Sequence, residues 1–261
     1  RHQQLINCPY QFFAAQCLKL QPPEEISELL SKADYGERVH ACLEAFHGGR
    51  AGLPGPFGRP LNPANRAEAV ALLDEIAQVA FARDTEDNFQ HRGWLARWRA
   101  LIPAYVDWQI RRQGDWQVDT TEVTGQRELA DGLQLKGRLD RVDRNPEGRG
   151  IIDYKTGGTP RQQDVDQGEA VQLTTYALLL DNVRRVEYLK LDPREGAKVP
   201  AALEGEGLDE LKTAVADRLA DLHRAIRAGA PLPAWGDPAT CSYCEMNGLC
   251  RRPAWYGREE T

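Results

Sequence analysis

The sequence has no long apolar segment and only one methionine. Its longest purely apolar stretches are short ones such as residues 176–180, far below the about 18 to 20 residues that cross a bilayer, and this excludes a transmembrane role. The only methionine is Met246, the first residue is Arg1, and no signal-like apolar segment stands at the start. We therefore expect a piece of a longer chain or a processed product, located in the cytoplasm.

The sequence also lacks an excess of positive charge. Lysine and arginine number 33 against 39 acidic residues, a net charge of −6, so any nucleic-acid contact must come from a local patch. With 41% hydrophobic and 28% charged residues, the composition is that of an ordinary globular protein, without the low hydrophobicity of disorder. We find no internal repeat and no low-complexity tract.

Helical periodicity dominates the first half of the chain. An opening helix is expected to end near Leu20, where two prolines follow, and a second helix to begin around Glu24. Apolar residues at helical spacing then predict three further helices, at residues 35–46, 67–83 and 89–113. A helical region over residues 1–115 follows from this pattern.

From Trp116 the pattern changes to alternation, which is typical of strands. Three strands are expected to form a β-meander, at residues 116–123, 133–142 and 150–154. A helix, a strand and a helix should follow, at residues 167–180, 184–191 and 208–228. A strand, a helix and a strand in succession imply a right-handed crossover.

The prediction is an α/β fold with a mixed sheet flanked by helices. It forms one domain over residues 1–261, with a catalytic core at 116–230 and a cysteine-bearing tail at 231–261.

Two carboxylates and a lysine carry the most informative chemistry. Asp140 and Asp153 fall on neighbouring antiparallel strands, where they can converge on a hard cation that prefers carboxylate oxygens. Lys155 shares a face with Asp153 by period-two alternation, so its ammonium can orient a water and offset charge at a phosphate. Tyr154 points away, which leaves its carbonyl as a possible metal ligand. The alternative for this spacing alone is a surface salt bridge.

Three of the six cysteines crowd into the tail as Cys241-x2-Cys244-x5-Cys250. This clustering is typical of a metal site rather than of disulfides. A closed site needs four ligands, and spacing alone does not separate zinc from a [4Fe–4S] cluster, although it favours zinc. Cys17 and Cys42 fall within helical patterns, so we expect buried, inert thiols.

The motifs occur in an order that resembles one nuclease family. They are Cys8-Pro-Tyr-x-Phe-Phe, Gly36-x3-His40, Gly137-Arg-Leu-Asp140-Arg, Asp153-Tyr-Lys155-Thr-Gly, Gln172-x3-Tyr176 and the terminal cysteines. Together they resemble the PD-(D/E)XK nuclease superfamily, in its RecB-like and AddB-like exonuclease branch, which includes CRISPR-associated exonucleases with an iron–sulfur cluster. The resemblance covers nearly the whole chain and implies a restriction-endonuclease-like fold.

The resemblance implies a role for each matching residue. Asp140 and Asp153 would be the metal-binding pair, His40 a further metal ligand, and Lys155 the catalytic lysine. Glu122 is similar to an acidic residue on the preceding strand, with Glu128 as its competitor.

Two matching residues lie on the helix that follows the lysine strand. Gln172 and Tyr176 are four residues apart and share a helix face, so both would position the lysine or the DNA. Cys8 would supply the fourth ligand beside the three terminal cysteines, an arrangement that favours [4Fe–4S] over structural zinc.

The implied function is a Mg²⁺- or Mn²⁺-dependent DNA nuclease of exonuclease type. Its substrate would be single-stranded DNA or an unwound duplex, in DNA repair or recombination, beside a helicase-like domain or subunit, with no membrane partner. Two alternatives remain open: a DNA-binding module whose nuclease site has decayed, and an iron–sulfur redox protein. A cleavage assay and a reversible redox wave, respectively, would identify them.

Residues 91–114 contain five arginines and one aspartate, which predicts a basic face for DNA. Its members include Arg97, Arg99, Arg111 and Arg112. The alternative is that the tryptophans of this segment are buried and its arginines only solvated. DNA docking could instead depend on the arginines near the acidic pair, which are Arg138, Arg141 and Arg161.

Overall fold

The computed structural model describes residues 1–22, 31–87 and 91–252. The chain divides into two compact units, one made of Arg1–Ile26 with Asp217–Thr261 and the other of Ser27–Ala216. The smaller unit thus combines the two ends of the chain. That the whole chain forms one domain with the predicted internal boundaries stays a prediction.

The larger unit contains a five-stranded sheet in the order β1-β2-β3-β4-β5. The strands are β1 (Gln117–Glu128), β2 (Gln134–Asn145), β3 (Gly148–Lys155), β4 (Val183–Asp192) and β5 (Gly196–Glu204). Neighbouring strands are antiparallel except β3 and β4, which are parallel. A parallel pair needs a crossover connection. Along the chain, two short helices connect β3 to β4. The predicted meander and mixed sheet are confirmed, while the handedness of the crossover stays a prediction.

Helices flank this sheet on both sides. They are α3 (Lys32–His47), α4 (Arg66–Asp87), α5 (Arg92–Arg112), α6 (Gln162–Asp166), α7 (Gln172–Ala177) and the first part of α8 (Gly205–Arg227), whose residues from Asp217 onward belong to the smaller unit. Helix α3 begins with a capping box, in which the Ser31 hydroxyl accepts from the Asp34 N–H and the Asp34 carboxylate accepts from the Ser31 N–H. Such a box satisfies two backbone donors at the helix start. The predicted α/β class is confirmed.

Two hydrophobic clusters hold the helices on the sheet. The first joins α3, α4 and α5 to apolar side chains of β3 and β4, among them Ile152, Tyr154 and Leu189. The second joins α6, α7 and the start of α8 to β2–β5, with Leu139 and Tyr188 at its centre. Because Tyr154 belongs to the first cluster, its neighbours Asp153 and Lys155 point towards α7.

The structure differs from the predicted elements in two places. Within the helix expected at 167–180 only α7 (Gln172–Ala177) forms, and α6 (Gln162–Asp166), which was not predicted, precedes that range. The two helices are separated because Gly168 adopts a φ of 70° and the Asp164 carbonyl accepts from two N–H groups of the following turn. Strand β5 was not predicted, since alanines and Pro200 interrupt its alternation, and proline is tolerated there only because the strand is at the sheet edge. The helix expected to begin around Glu24, and residues 89 and 90 of the helix expected at 89–113, lie outside the described residues.

The smaller unit contains short helices near both chain ends. They are α1 (His2–Asn7), α2 (Pro9–Phe12), a π-helical turn (Phe13–Cys17), α9 (Pro238–Ser242) and α10 (Asn247–Cys250). Cys42 is buried as predicted, whereas Cys17 is exposed because it ends the π-helical turn on the solvent side. No helix in the described ranges combines the length and apolarity that crossing a membrane requires.

Gly125 provides a test of the packing between β1 and the end of α7. It is paired with Gly137 of β2, and a Cβ at Gly125 would lie 2.8 Å from the Leu179 Cβ. Gly125→Ala should therefore lower the free energy of unfolding by about 1–3 kcal/mol, because the well-packed core must shift. Urea denaturation measures this change. Gly58→Ala, with nothing within 4 Å of its added Cβ, should leave the midpoint nearly unchanged, and equal midpoints for both variants would contradict the packing argument.

Candidate active site

The site forms where β2 separates from β3. The backbone ladder between these strands ends at the pair Arg141–Ile152. Immediately beyond it, the Asp140 Oδ2 accepts a hydrogen bond from the Tyr154 N–H at 2.8 Å. The side chain thus takes the place of a backbone partner, and its other oxygen, Oδ1, points towards α3.

Helix α3 brings His40 to the same place. The Nε2 of His40 lies 3.2 Å from the Tyr154 carbonyl oxygen, and Nδ1 lies 3.5 Å from the Asp140 Oδ1 and 3.8 Å from the Glu122 Oε1. Gly36, one turn earlier, explains how the helix comes so close. A Cβ at Gly36 would lie only 3.2 Å from the Thr156 Oγ1, just after β3, so this small residue lets α3 approach the strand end.

Glu122 lies in β1 between the pairs Thr121–Arg141 and Val123–Leu139, opposite Asp140. Its φ of 51° places it in the left-handed region, which costs of order 1–3 kcal/mol for a non-glycine residue and is typical of functional sites. The Arg138 Nε lies 2.5 Å from its carboxylate. Of the two competing residues, Glu122 therefore lines the cleft, whereas Glu128 accepts from Gln134 at the far end of the strand.

His40, Glu122 and Asp140 fit a divalent metal ion. Their ligand atoms all lie within 4.8 Å of one another, and within the described part of the chain they are the one group of three or more candidate ligands to do so. Burial by itself would lower the pKa of His40, but the Asp140 and Glu122 carboxylates outweigh it and raise the pKa to about 10. Two carboxylates in so small a space need a positive charge, which a hard cation supplies.

Asp153 and Lys155 are held together by Gln172 of α7. The Lys155 Nζ lies 2.6 Å from the Asp153 Oδ2 and donates to the Gln172 Oε1 at 3.1 Å. The Gln172 amide nitrogen donates to the Asp153 Oδ1 at 2.8 Å and to the Tyr176 hydroxyl at 3.0 Å. One side-chain amide therefore orients the lysine, the aspartate and the tyrosine together.

Asp153 is buried near a second carboxylate, that of Asp140. Its side chain is only 3% exposed, and burial raises its pKa to about 6, with the nearby Asp140 adding to the rise and Lys155 opposing it. The structure thus brings Asp140, Asp153 and Lys155 into one cluster. Asp153 is not in the three-residue group described above; its oxygens contact Gln172 and Lys155.

Tyr188 is a residue of the site that sequence reasoning missed. It is paired with Asp153 across the parallel β3–β4 ladder. Its hydroxyl donates to the Gln172 Oε1 at 3.5 Å, and the Lys155 Nζ lies 5.4 Å from its ring centroid. A tyrosine was visible in the predicted strand at 184–191, but only the β3–β4 register places it beside the lysine.

His40, Glu122, Asp140 and Lys155 border an open cleft of about 750 Å³. The cleft walls carry positive charges from Arg50, Arg138 and Lys155 and negative charges from Glu37, Glu122 and Asp140. Gly157 and Gly158, directly after the lysine strand, also line it. A charged polymer backbone could therefore reach the acidic cluster from solvent.

The arginines predicted to bind DNA fall into two classes. Arg141 is completely buried and paired with Asp143, so the prediction that it contacts DNA is wrong. Arg112 is 9% exposed and pairs with Asp143 and Glu187, and it is likewise removed from the basic face.

The remaining arginines of that prediction differ in how they are held. Arg99 pairs with Asp74, and Arg97 lies over the Tyr35 and Trp94 rings. Arg97, Arg111, Arg138 and Arg161 are exposed, so their DNA contacts stay a prediction. Trp98 and Trp108 are core residues, in line with the alternative interpretation of this helix.

Four cysteines converge within the smaller unit. Cys8, Cys241, Cys244 and Cys250 line one small cavity together with Tyr10 and Arg252. Burial raises the pKa of the Cys244 thiol, and the nearness of the other three thiols adds to the rise. The structure therefore brings the early cysteine to the three late ones.

Comparison with known proteins gives a family and distant relatives. The model of the PD-(D/E)XK nuclease superfamily matches residues 1–251. An uncharacterized protein of Rickettsia bellii is 23% identical over 180 residues, which are 67% of this chain and 20% of that protein. A subunit of the ATP-dependent helicase/deoxyribonuclease of Symbiobacterium thermophilum is 27% identical over 201 residues, 68% of this chain and 17% of that protein. The chain spans about a fifth of the length of these curated relatives.

Similarity to solved structures is weaker. A crystal structure from Eubacterium rectale, provisionally described as an exonuclease, is 13% identical with a TM-score of 0.43 and covers 85% of this chain and 92% of its own. At this TM-score the similarity supports no functional assignment.

Metal binding at the cleft can be measured directly. Asp140→Asn should weaken Mn²⁺ binding at least about tenfold in titration calorimetry, because a neutral amide replaces a charged ligand while still accepting the Tyr154 N–H. Asp119→Asn is the matched control, since Asp119 lies on the neighbouring strand with its nearest cationic partner, Arg144, at 3.8 Å. Equal Mn²⁺ affinities for the parent and Asp140→Asn would place the metal elsewhere.

Proposed function

Because the chain belongs to the PD-(D/E)XK nuclease superfamily, we propose that it is a Mg²⁺- or Mn²⁺-dependent deoxyribonuclease that hydrolyses phosphodiester bonds. The observation that supports this most directly is the convergence of His40, Glu122 and Asp140 beside Lys155 in one open cleft. Hard-cation ligands next to a fixed amino group are the groups that hydrolysis of a charged diester requires.

The substrate and setting are part of the same proposal. Single-stranded DNA or a strand of an unwound duplex, cut by exonuclease action, is the proposed substrate, and a helicase-like domain or subunit in repair or recombination is the proposed partner. One distant relative is named as a helicase/deoxyribonuclease subunit, which is in keeping with that partner. A cytoplasmic location fits this role.

The metal would be held by Asp140, Glu122 and His40, with Asp153 and the Tyr154 carbonyl as further ligands. A His40 whose Nε2 donates to the Tyr154 carbonyl leaves Nδ1, on the side of both carboxylates, as its ligand atom. When bound, a divalent ion neutralises charge on the phosphate and lowers the pKa of a water.

Lys155 would orient the attacking water, and Gln172 would hold Lys155 in position. Contacts with Asp153 and Gln172 hold the Lys155 Nζ in place, so its N–H groups can direct a water and offset the charge that develops at phosphorus. Gln172 and Tyr176 act as positioning residues in this scheme, since the amide of Gln172 fixes both ends of the Asp153–Lys155 pair.

Arg138 is the proposed DNA contact nearest the site. Its side chain is 62% exposed at the cleft and its Nε contacts Glu122. An exposed guanidinium beside the acidic cluster can bind the phosphate next to the scissile bond. Arg161, Arg97 and Arg111 are proposed as weaker contacts along the strand.

Replacing Lys155 tests the catalytic proposal. Lys155→Ala and Asp153→Asn should each slow Mg²⁺-dependent digestion of end-labelled single strands by at least about 10²-fold, because each removes a fixed charge from the reacting centre. Lys190→Ala is the matched control. Lys190 is paired with Lys155 across the β3–β4 ladder, and its ammonium donates to Glu195 at 3.1 Å.

The outcomes separate the candidate functions. Near-parent rates in Lys155→Ala would remove that residue from the site. DNA binding by the parent without any metal-dependent cleavage would instead support the decayed DNA-binding module.

A [4Fe–4S] cluster on Cys8, Cys241, Cys244 and Cys250 is the second part of the proposal. The four cysteines line one small cavity, so their thiolates can bind one metal centre. The arrangement of one early and three late cysteines resembles the iron–sulfur nucleases, which favours the cluster over structural zinc. Because it would join residues near both chain ends, we propose a structural role, in which the link restricts the unfolded chain.

Cys8→Ser tests the cluster. Anaerobically purified parent protein should contain iron and sulfide and be brown, and Cys8→Ser should lose both together with thermal stability. Cys17→Ser, which replaces an exposed cysteine of the same unit, should retain them. Stoichiometric zinc without sulfide would contradict the iron assignment. A reversible redox wave in a protein that hydrolyses no DNA would favour the redox alternative.

A further inference from the structure

The backbone of Tyr154 contacts two of the proposed metal ligands. Its N–H donates to the Asp140 Oδ2 at 2.8 Å, and its carbonyl oxygen lies 3.2 Å from the His40 Nε2. The first contact orients a carboxylate, and the second selects which imidazole nitrogen is available to a metal. The position of this one residue therefore sets the geometry of two ligands.

The side chain of the same residue is anchored in the core beneath the site. Its hydroxyl lies 3.3 Å from the Tyr105 hydroxyl of α5 and 3.4 Å from the Arg141 Nη1, and the residue is 3% exposed. Its ring meets the Tyr105 ring edge-on at 6.4 Å between centroids. The hydroxyl thus connects the end of β3, where Tyr154 lies, to helix α5.

The guanidinium that faces this hydroxyl is itself rigid. Arg141 is fully buried, donates to both Asp143 oxygens at 2.6 and 3.1 Å, and donates to the Gln109 Oε1 at 2.7 Å. Asp143 accepts in turn from Arg112, which also pairs with the buried Glu187. Arg141 also directly follows Asp140 in β2, so the same anchor fixes the backbone of a proposed ligand.

Such a network is a costly way to build a core. Replacing buried ion pairs by well-packed apolar side chains is often neutral or stabilising, so this network is not explained by stability alone. The network contacts the side chain of Tyr154, whose backbone contacts Asp140 and His40, so it can fix the position of these two residues.

We propose that the Tyr154 hydroxyl, held by Tyr105 and Arg141, is a positioning element that sets the metal affinity of the cleft from within the core. The inference rests on the proposed function, since it concerns the same metal site. Tyr154 acts here through its backbone N–H and carbonyl, which contact Asp140 and His40, and its hydroxyl touches neither metal nor substrate.

Titration calorimetry with Mn²⁺ on the full chain tests this inference. Tyr154→Phe removes only the hydroxyl and should raise the Mn²⁺ dissociation constant about tenfold, the size of effect seen when outer contacts of metal ligands are lost. Cleavage by Tyr105→Phe at saturating Mn²⁺ should keep kcat within about twofold of the parent, because Tyr105 lies outside the proposed metal site and the ligands themselves are intact. A purely structural role would lower thermal stability without changing the dissociation constant.

Two further variants sharpen the test. Tyr35→Phe is the matched control, since Tyr35 is a buried tyrosine of the same hydrophobic cluster and should leave the Mn²⁺ dissociation constant unchanged. Tyr105→Phe removes the partner hydroxyl and should raise the constant in the same direction. It also serves as the test if Tyr154→Phe fails to fold.

The possible outcomes distinguish this inference from the proposed function. If the parent binds Mn²⁺ through Asp140 and both Tyr154→Phe and Tyr105→Phe stay within about twofold of it, the inference is overturned and the proposed function stands. If Asp140→Asn binds Mn²⁺ as tightly as the parent, the proposed metal site fails and this inference fails with it.

Discussion

The hydrogen bond from the Tyr154 N–H to the Asp140 carboxylate is the contact on which the site depends. It stands where the β2–β3 ladder stops, so a side chain completes the pairing that backbone would otherwise make. An acidic residue is thereby fixed at the mouth of a gap between strands. His40 enters that gap from α3, and Glu122 enters from β1 in a left-handed conformation.

The site has two layers of support with different chemistry. On the side of α7, the single amide of Gln172 joins Asp153, Lys155 and Tyr176, with Tyr188 as its fourth contact. On the side of α5, a buried network of arginines and acids holds the Tyr154 ring. Hydrogen bonds of a neutral amide thus orient Asp153 and Lys155, while buried charges fix the strand beneath them. Such charges are tolerable in a core only because each is paired.

Three glycines near the site lie where a larger side chain would collide with a neighbouring residue. Gly36 permits α3 to approach Thr156, and Gly125 and Gly137 leave room for Leu179 below α7. Because these positions have no Cβ, α3 can place His40 close to the acidic residues on one side, and α7 can place Gln172 close to them on the other.

The sequence by itself determined the mixed sheet, the shared face of Asp153 and Lys155, and the grouping of Gln172 with Tyr176, because strand and helix periodicities decide which side chains share a face. Only the tertiary structure decided that Glu122 rather than Glu128 enters the cleft, that Tyr188 supports the lysine, and that Arg141 is a core residue. Each of these depends on strand register or on packing between distant segments. An arginine beside a catalytic motif looks the same in sequence whether it faces solvent or a buried aspartate, and only the register of β2 against its neighbours separates the two.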